Sequence, residues 1–310
     1  MNQPVVLVTG ATGFVGRNLV PLLESRGYRV RRALRAGRAG ENDVVVGSIG
    51  ATTSWDAALV GVDAVVHLAA RVHHPNEEHA AELYDTVNTQ GTLQLAQAAA
   101  RAGVSRFVFL STILVNGSST DGRGPFMPDD AVVPRGVYGR SKAAAEAALQ
   151  RLASQSKMRV AVVRPPLVYG REALGNFRHL VSAIRRRIPL PLGLVDNKRA
   201  FVSVQNLASF VAHLMALPVA RPYQIFLIAD DEQISTTAFV RRIGQAMNRT
   251  AILLPVPSVV LTLALQAIRP ELGHSLVGSM EIDTSAALST GWTPPLSMTH
   301  GLRLAVGSSS

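Results

Sequence analysis

The chain of 310 residues contains no cysteine, and aromatic and charged residues make up only 5% and 17%. The lack of cysteine excludes disulfides, a thiol nucleophile and a thiolate metal site, and it is typical of cytoplasmic proteins. Hydrophobic residues make up 47%, which excludes a disordered chain. Acidic residues are scarce, 21 against 31 basic ones, so the net charge is +10. This excess predicts an anionic partner: nucleic acid, a membrane surface or a phosphorylated small molecule.

Long hydrophobic runs are also missing, apart from Thr250–Ile268. Pro255 and Pro257 interrupt it, and the remaining Val259–Ile268 has about half the ~20 residues that a membrane span needs. The run therefore predicts no transmembrane segment. A buried helix that begins near Ser258 is the first interpretation. A dimer face and a helix on a membrane surface are the alternatives.

Short β-branched runs alternate with helical patterns in the first half of the chain. Strands are predicted at Val5–Thr9, Arg29–Leu34, Asp43–Val46, Ala64–Leu68, Arg106–Leu110 and Val160–Val163, and helices at Val15–Ser25, Thr86–Ala102 and Lys142–Ala153. This alternation predicts a doubly wound parallel sheet, an α/β fold. After Pro165 the elements become shorter and richer in proline, which indicates a second, smaller α/β domain. We assign residues 1–168 and 200–222 to the first domain, and 169–199 and 223–310 to the second.

Three glycines lie between the first strand and the first helix. Gly10 permits a tight turn, Gly13 lets the backbone approach a pyrophosphate, and Gly16 lets the helix pack closely on the strand. The N-terminus of the helix offers free N–H groups to the anion. The turn therefore predicts dinucleotide binding by Gly10, Thr12, Gly13, Phe14, Val15, Gly16 and Arg17.

The end of the second strand bears on the choice of dinucleotide. A site selective for NAD places an acidic residue there, but residues 28–35 contain no acid and four arginines. An arginine fork suits a 2′-phosphate. Arg35 and Arg17 are the best placed, so NADP(H) is the predicted cofactor, with NAD(H) as the alternative.

Tyr138 and Lys142 share one helix face, because residues four apart are neighbours on a helix. A cation beneath the phenol is expected to lower its pKa, so Tyr138 would serve as an acid or a base near neutrality. Ser111 and Thr112 end the fifth strand, where ligands gather in doubly wound sheets. A hydroxyl there could bind a substrate oxygen.

Several motifs together resemble one superfamily over nearly the whole chain. They are TGATGFVG at 9–16, VHLAA at 66–70, VNTQGT at 87–92, FLSTILVNG at 109–117, YGRSK at 138–142, RPPLVYG at 164–170, KRAFVSVQNLA at 198–208 and GWTPPLS at 291–297. The sequence resembles the extended short-chain dehydrogenases/reductases, and within them the nucleotide-sugar epimerase/dehydratase branch. Among these it is most similar to 4-ketoreductases that make UDP-linked 6-deoxy-N-acetylhexosamines for surface polysaccharide. The resemblance implies a Rossmann domain beside a substrate domain.

The resemblance also implies residue roles. Tyr138 would donate a proton to a sugar C4 carbonyl, Lys142 would tune it and hold the nicotinamide ribose, and Thr112 would orient the sugar oxygen. Further cofactor contacts would come from Ser48, Ile49, Leu68, Ala69, Ala70, Asn88 and Pro165. Asn176 and Arg199 would bind the nucleotide part of the substrate.

Three positions depart from the pattern of this branch. One is Arg171, which follows Gly170 where relatives usually carry proline. Relatives often carry an aspartate near Ser48 for the adenine, and here only a hydroxyl is available. The usual Arg-Asp pair is Arg199-Ala200, so the adjacent salt-bridge partner is missing.

Two enzymatic functions and two other classes are compatible with these features. An NADPH-dependent reductase of a UDP-4-keto-6-deoxy-N-acetylhexosamine is favoured by the arginine-rich second strand. A UDP-sugar 4-epimerase with tightly bound NAD is the alternative. A non-catalytic dinucleotide sensor is disfavoured by the intact Tyr138 and Lys142. Nucleic-acid binding is disfavoured because no aromatic stacking platform is present.

Part of the basic excess has no role in this site, notably Arg185, Arg186 and Arg187. Together with Thr250–Ile268 these residues leave a weak peripheral membrane contact open. The expected protein is a cytoplasmic homodimer that binds a UDP-sugar and no metal.

Overall fold

A computed structural model describes residues 3–72, 80–217, 221–268 and 276–307 of the chain. Its main feature is a sheet of seven parallel strands in the order β3-β2-β1-β4-β5-β6-β9. The ten described strands are β1 Val5–Thr9, β2 Arg29–Leu34, β3 Asp43–Val45, β4 Ala64–His67, β5 Arg106–Leu110, β6 Arg159–Arg164, β7 Leu167–Tyr169, β8 Arg199–Ser203, β9 Tyr223–Leu227 and β10 Gln233–Ile234.

Helices cover both faces of this sheet. They are α1 Phe14–Ser25, α2 Asp56–Leu59, α3 Ala81–Tyr84, α4 Gly91–Arg101, α5 Gly136–Ser154, α6 Asn176–Arg185, α7 Val204–Ala216, α8 Thr236–Ala246, α9 Ser258–Ile268, α10 Ser285–Leu288 and α11 Met298–Val306. A π-helical stretch, Asp85–Gln90, joins α3 to α4, and a 3-10 turn, Ile113–Val115, follows β5.

The inner strands are buried on both faces, as their continuous apolar sequences require. Along β1, Val6 and Val8 face a core layer built with α1 and α7, whereas Val5 and Leu7 face a layer built with α4 and α5. This alternation follows from the two-residue period of a strand. The predicted doubly wound α/β sheet is therefore confirmed.

A smaller sheet, in the order β10-β8-β7, has its own core. Phe201 and Phe239 stack with ring centroids 3.8 Å apart, and Tyr169 packs edge-on against Phe239. The Tyr169 hydroxyl donates to Asp230 Oδ2 at 2.5 Å. This core lies beside the carboxyl end of the main sheet, since β7 follows β6 after two residues.

The proposed division into two domains needs two adjustments. β9 lies within the segment that we assigned to the second domain, yet it pairs with β6 and forms an edge of the main sheet. β8 lies within the segment that we assigned to the first domain, yet it belongs to the smaller sheet. Strand pairing between distant segments decides both placements, and local sequence does not encode it.

The expectation of a buried helix in 250–268 is wrong for the described side chains. α9 does begin at Ser258, but Val259 and Leu263 are 71% and 62% exposed, and Leu261 is its buried apolar contact. Within the described part of the chain, no helix has the length and apolar character to cross a membrane.

Candidate active site

The turn between β1 and α1 is built so closely that only glycine fits at two positions. Gly10 has a φ of +67°, and a Cβ atom there would lie 2.8 Å from the Ala69 nitrogen. A Cβ atom on Gly16 would lie 2.3 Å from the Gly10 carbonyl oxygen. Gly13 precedes α1 and provides no side-chain cap, so the first N–H groups of the helix remain available to an anion. This cradle fits a dinucleotide pyrophosphate.

The turn also lies where ligands bind in such sheets. The strand order reverses direction between β1 and β4, and Gly10 meets Ala69 just beyond the ends of these two strands. A crevice opens at such a switch point. Leu68, Ala69 and Ala70, which were predicted to contact the cofactor, therefore lie at this crevice.

A hydrogen-bonded relay, defined here as Ala69, Thr9, His67, Thr92 and Asn88, holds the crevice together. The Ala69 N–H donates to Thr9 Oγ1 at 3.2 Å, and the Thr92 hydroxyl donates to the Asn88 carbonyl at 2.7 Å. Because the Thr92 proton is used, His67 Nε2–H must donate to Thr92 Oγ1 at 2.9 Å. His67 Nδ1 then accepts from the Thr9 hydroxyl at 2.6 Å. The sequence analysis assigned no role to His67.

The His67 ring is neutral because its burial, and then the nearby Lys142, lower its pKa to about 3. Its ring lies 5.8 Å from that of Phe109 and nearly parallel to it. The Lys142 Nζ lies 3.9 Å from the centroid of the Phe109 ring, a cation–π distance. A neutral histidine, a phenylalanine and the lysine thus form one packed group beneath the site.

Asn88 lies in the π-helical stretch and is completely buried. Its Oδ1 accepts from the Arg71 N–H at 2.7 Å, and its Nδ2 donates to the Arg71 carbonyl at 2.9 Å. The same Nδ2 donates to Ser141 Oγ at 2.9 Å, and Ser141 Oγ donates to the Tyr138 carbonyl. Asn88 therefore ties the segment after β4 to the first turn of α5.

The arginines near β2 have different roles from one another. Arg31 donates to the carbonyls of Ala58 and Val60, and Arg32 forms a bidentate pair with Asp43 at 2.6 and 3.0 Å. These two side chains are occupied elsewhere.

Of the two arginines predicted to bind a 2′-phosphate, only one remains free within the described structure. Arg17 pairs with Glu172 at 2.7 Å and donates to the Thr12 carbonyl. Arg35 is exposed, and no described residue forms a hydrogen bond or an ion pair with it. The arginine fork expected from the sequence is thus reduced to Arg35.

Thr112 and Tyr138 lie on two segments that are joined by a backbone hydrogen bond. Thr112 caps the 3-10 turn after β5 by accepting from the Leu114 N–H at 3.3 Å. The Leu114 carbonyl accepts from the Arg135 N–H at 3.0 Å, just before α5. A Cβ atom on Gly139 would lie 3.1 Å from that carbonyl. Because α5 begins at Gly136 rather than at Lys142, Tyr138 and Lys142 occupy one helix face.

Lys142 is 1% exposed, and no acid pairs directly with it in the described structure. Burial lowers its pKa to about 7, although the carboxylate of Glu146 acts in the opposite direction. The ammonium is therefore poised to gain or lose its proton near neutrality in the cofactor-free protein.

The predicted decrease in the pKa of Tyr138 is wrong for the cofactor-free protein. Burial, and then the adjacent Tyr84, raise the pKa of the Tyr138 phenol to about 12. The physical reason is desolvation, which disfavours the charged form of both groups. It therefore raises the pKa of the Tyr138 phenol and lowers the pKa of the Lys142 ammonium. The phenol is thus protonated in the cofactor-free protein near neutral pH.

A buried ionic group behind the site was missed by the sequence analysis. Glu146 and Arg164 are both almost fully buried, and the Arg164 Nε–H donates to both carboxylate oxygens of Glu146 at 3.1 Å. The Ser111 hydroxyl donates to Glu146, and Arg164 Nη1 donates to Asn116 Oδ1 at 2.9 Å. This group joins β5, α5 and β6 directly behind Thr112.

The residues predicted to bind substrate lie in and near the smaller sheet. Arg199 is buried on β8 and donates to the Gly278 carbonyl at 2.6 Å. Burial lowers its pKa to about 10, and Asp121 raises it. Asp121 thus acts electrostatically on Arg199, although Ala200 provides no adjacent acid. Asn176 begins α6 and is half-buried.

Three further predicted cofactor contacts follow strands of the main sheet: Ser48 and Ile49 come after β3, and Pro165 comes directly after β6. The Pro165 carbonyl accepts from the Ile113 N–H at 3.0 Å, next to Thr112. The Ser48 carbonyl accepts from the Thr53 hydroxyl at 3.0 Å, and the Ile49 side chain packs against α4.

The sequence pattern described as the NAD dependent epimerase/dehydratase family matches residues 6–229, which span the crevice and most of the chain. The chain belongs to this family. It is an NAD(P)-dependent enzyme of the short-chain dehydrogenase/reductase type, and the resemblance inferred from its motifs is confirmed.

Among curated members of the epimerase/dehydratase family, UDP-glucose 4-epimerase of Vibrio cholerae is 37% identical over 306 residues. The alignment covers 96% of this chain and 93% of that protein. Two solved structures show the same fold. UDP-glucose 4-epimerase of Thermus thermophilus in complex with NAD has a TM-score of 0.77 at 22% identity, covering 97% of each chain. RMD from Pseudomonas aeruginosa complexed with NADPH has a TM-score of 0.76 at 21% identity, covering 98% of each.

A measurable consequence follows from the lowered pKa of Lys142. The unfolded chain keeps the lysine proton up to about pH 10.5, whereas the folded, cofactor-free chain releases it near pH 7. Between these values the unfolded state binds more protons, so Lys142 makes the free energy of unfolding rise with pH, by at most about 1.4 kcal/mol per unit. Urea unfolding at several pH values should show this slope, and Lys142→Met should lose it. Equal slopes in both proteins would contradict the assignment.

Proposed function

We propose that this enzyme is a UDP-sugar 4-epimerase that retains its dinucleotide through the reaction. The observation that carries the proposal is the similarity to a UDP-glucose 4-epimerase over nearly the full length of both chains. The placement of Tyr138 and Lys142 on one face of α5, with Thr112 after β5 on a segment that is hydrogen-bonded to the start of α5, supports it. This conclusion favours the epimerase over the 4-ketoreductase that the motifs first indicated.

The reaction assigns a separate task to each side chain. The bound dinucleotide would supply the acceptor and donor of the hydride. The Tyr138 phenol would first lose its proton to solvent when the dinucleotide binds. Its phenolate, stabilised by the Lys142 ammonium, would then take the proton of the C4 hydroxyl and later return it to the same oxygen, so each turnover consumes no net proton. Thr112 accepts a bond from Leu114 and can donate its own proton to that sugar oxygen. Lys142 would hold the ribose and stabilise the phenolate when it forms.

The substrate's diphosphate requires compensation of its charge. Arg199 is the buried cation of β8 beside the 278–280 segment, and Asn176 offers an amide at the start of α6. We propose that these two side chains bind the nucleotide part of the UDP-sugar.

Measurements on the purified wild-type protein distinguish the epimerase function from the reductase function. The epimerase is expected to release close to one dinucleotide per chain upon denaturation and to interconvert the C4 epimers of a UDP-hexose without added cofactor. NMR of the sugar anomeric protons measures the conversion. A protein that is purified empty and only oxidises NADPH with a UDP-4-keto-6-deoxy sugar would contradict the proposal.

One observation favours the reductase as a second candidate. Arg35 lies at the end of β2 with no described partner, and no acid lies within residues 28–35 to bind ribose hydroxyls. An unpaired guanidinium there suits the 2′-phosphate of NADP(H).

Replacement of Arg35 by alanine tests this cofactor preference. We expect Arg35→Ala to weaken NADP(H) binding about tenfold and to leave NAD(H) binding unchanged, because a charge-assisted bond to a phosphate is lost. Arg29→Ala, at the opposite end of the same strand, is the matched control. Calorimetric titration of both dinucleotides measures the effect. Equal loss for both, or no loss for NADP(H), would remove the support for the reductase.

The homodimer and the cytoplasmic location stay predictions. Light scattering tests the first and cell fractionation the second.

A further inference from the structure

A group of exposed apolar side chains lies on the part of the protein that is built around the smaller sheet. We name this region the apolar surface and define it by Ile188, Leu194, Ile252, Leu254, Val259, Val260 and Leu263. Each is a large aliphatic residue with at least 41% of its surface exposed. Single exposed aliphatic residues are ordinary, but a contiguous group of this kind marks an interaction site.

Backbone hydrogen bonds make the surface continuous although it comes from two segments. The Leu190 N–H donates to the Ile252 carbonyl at 2.9 Å, and the Leu254 N–H donates to the Leu190 carbonyl at 2.8 Å. The Ser258 hydroxyl donates to the Leu194 carbonyl at 3.2 Å, which places the start of α9 beside the first segment. The apolar side chains therefore share one rigid framework.

α9 exposes the type of residue that surface helices ordinarily bury. Val259 and Leu263 lie one turn apart on one line of the helix, and Val260 and Ala264 lie on the neighbouring line. All four are exposed, whereas Leu261 faces the core. The outward face of the described part of α9 is thus apolar.

The charge around the surface is predominantly positive. Residues 176–195 and 233–264 contain seven arginines and no acidic residue; of the two flanking acids, Asp196 is exposed and Glu232 pairs with Arg242. Arg185, Arg186, Arg187 and Arg249 are exposed, and Arg249 Nη1 donates to the Arg185 carbonyl at 3.0 Å. This bond places Arg249 beside the arginine cluster at the end of α6.

We propose that the apolar surface and its arginines dock this enzyme onto an anionic phospholipid bilayer. Aliphatic side chains would enter the boundary between headgroups and acyl chains, and the arginines would bind lipid phosphates. Charge complementarity selects this occupant. A second copy placed on the same surface by a two-fold axis would oppose arginines to arginines, which disfavours a dimer there. The inference does not depend on which sugar reaction the enzyme performs.

In the docked protein α9 would lie parallel to the membrane surface, and the attachment would be reversible. The described part of α9 has 11 residues and spans roughly 16 Å, which is too short to cross a bilayer. Both the aliphatic and the basic contributions are needed for stable attachment.

Vesicle sedimentation of the full chain tests the proposal. We expect phosphatidylethanolamine vesicles containing phosphatidylglycerol to bind the protein at least about tenfold more tightly than phosphatidylcholine vesicles. The double variant V259S/L263S should lose this binding, and R185Q/R186Q should lose most of it. L288S/L304S and R101Q/R151Q make the same changes at exposed positions elsewhere and should bind as the wild type does. Thermal melting verifies that each variant folds.

Other outcomes overturn the proposal. They are wild-type protein that stays in the supernatant, equal binding to both kinds of vesicle, or equal loss in the control variants. A wild-type dimer that becomes a monomer in V259S/L263S, with no vesicle binding by either, would show that a second copy covers the surface.

Discussion

Replacing Tyr138 by phenylalanine is expected to reduce kcat about 10³-fold, because the group that moves the C4 proton is lost. The substitution removes only the Tyr138 hydroxyl, which forms no described hydrogen bond. The melting temperature and the dinucleotide content of the protein should therefore stay the same. Conversion of a UDP-hexose to its C4 epimer measures kcat.

Tyr28→Phe is the matched control for this variant. Tyr28 precedes β2, so it lies at the amino end of the parallel strands, whereas the crevice lies at their carboxyl end. It should retain full activity. If Tyr138→Phe lost less than about tenfold, another group would have to move the proton, and the proposed task of Tyr138 would be wrong.

Replacing Arg164 by methionine is expected to lower the free energy of unfolding by about 3–5 kcal/mol, because the carboxylate of Glu146 would remain buried without its partner. Urea unfolding of the purified variant measures the loss. Arg123→Met removes an exposed partner of Asp130 and should cost less than about 1 kcal/mol, which makes it the matched control.

A second substitution distinguishes the unpaired charge from lost packing. In E146Q/R164M the glutamine is neutral and still accepts from the Ser111 hydroxyl, so the double variant should be more stable than R164M alone. A double variant as unstable as the single one would assign the loss to packing.

The parts of this fold that sequence predicted are those in which one segment carries its own signal. β1 is a continuous apolar run, Gly10 and Gly16 mark the turn that follows, and Tyr138 and Lys142 have helical spacing. Each signal is local, so the sheet, the cradle and the side chains proposed for catalysis could all be placed before the structure.

The unpredicted features depend on residues that are distant in sequence. Glu146 is one acid within an alanine-rich helix, and only the packing of α5 on β6 brings it to Arg164. The outward face of α9 was equally hidden, because an apolar helix has the same sequence pattern whether it faces a core or a membrane. The increase in the pKa of Tyr138 arises from burial, which a helical spacing does not reveal.

The relay through His67 has a consequence for how this protein can change during evolution. Every proton in it has one allowed direction, from the Ala69 amide to the Asn88 carbonyl. A substitution at Thr9, His67 or Thr92 alone leaves a buried donor or acceptor without its partner, so these three positions are expected to be replaced together rather than one at a time. Covariation of the three among descendants of a common ancestor is the signature that such coupling would leave.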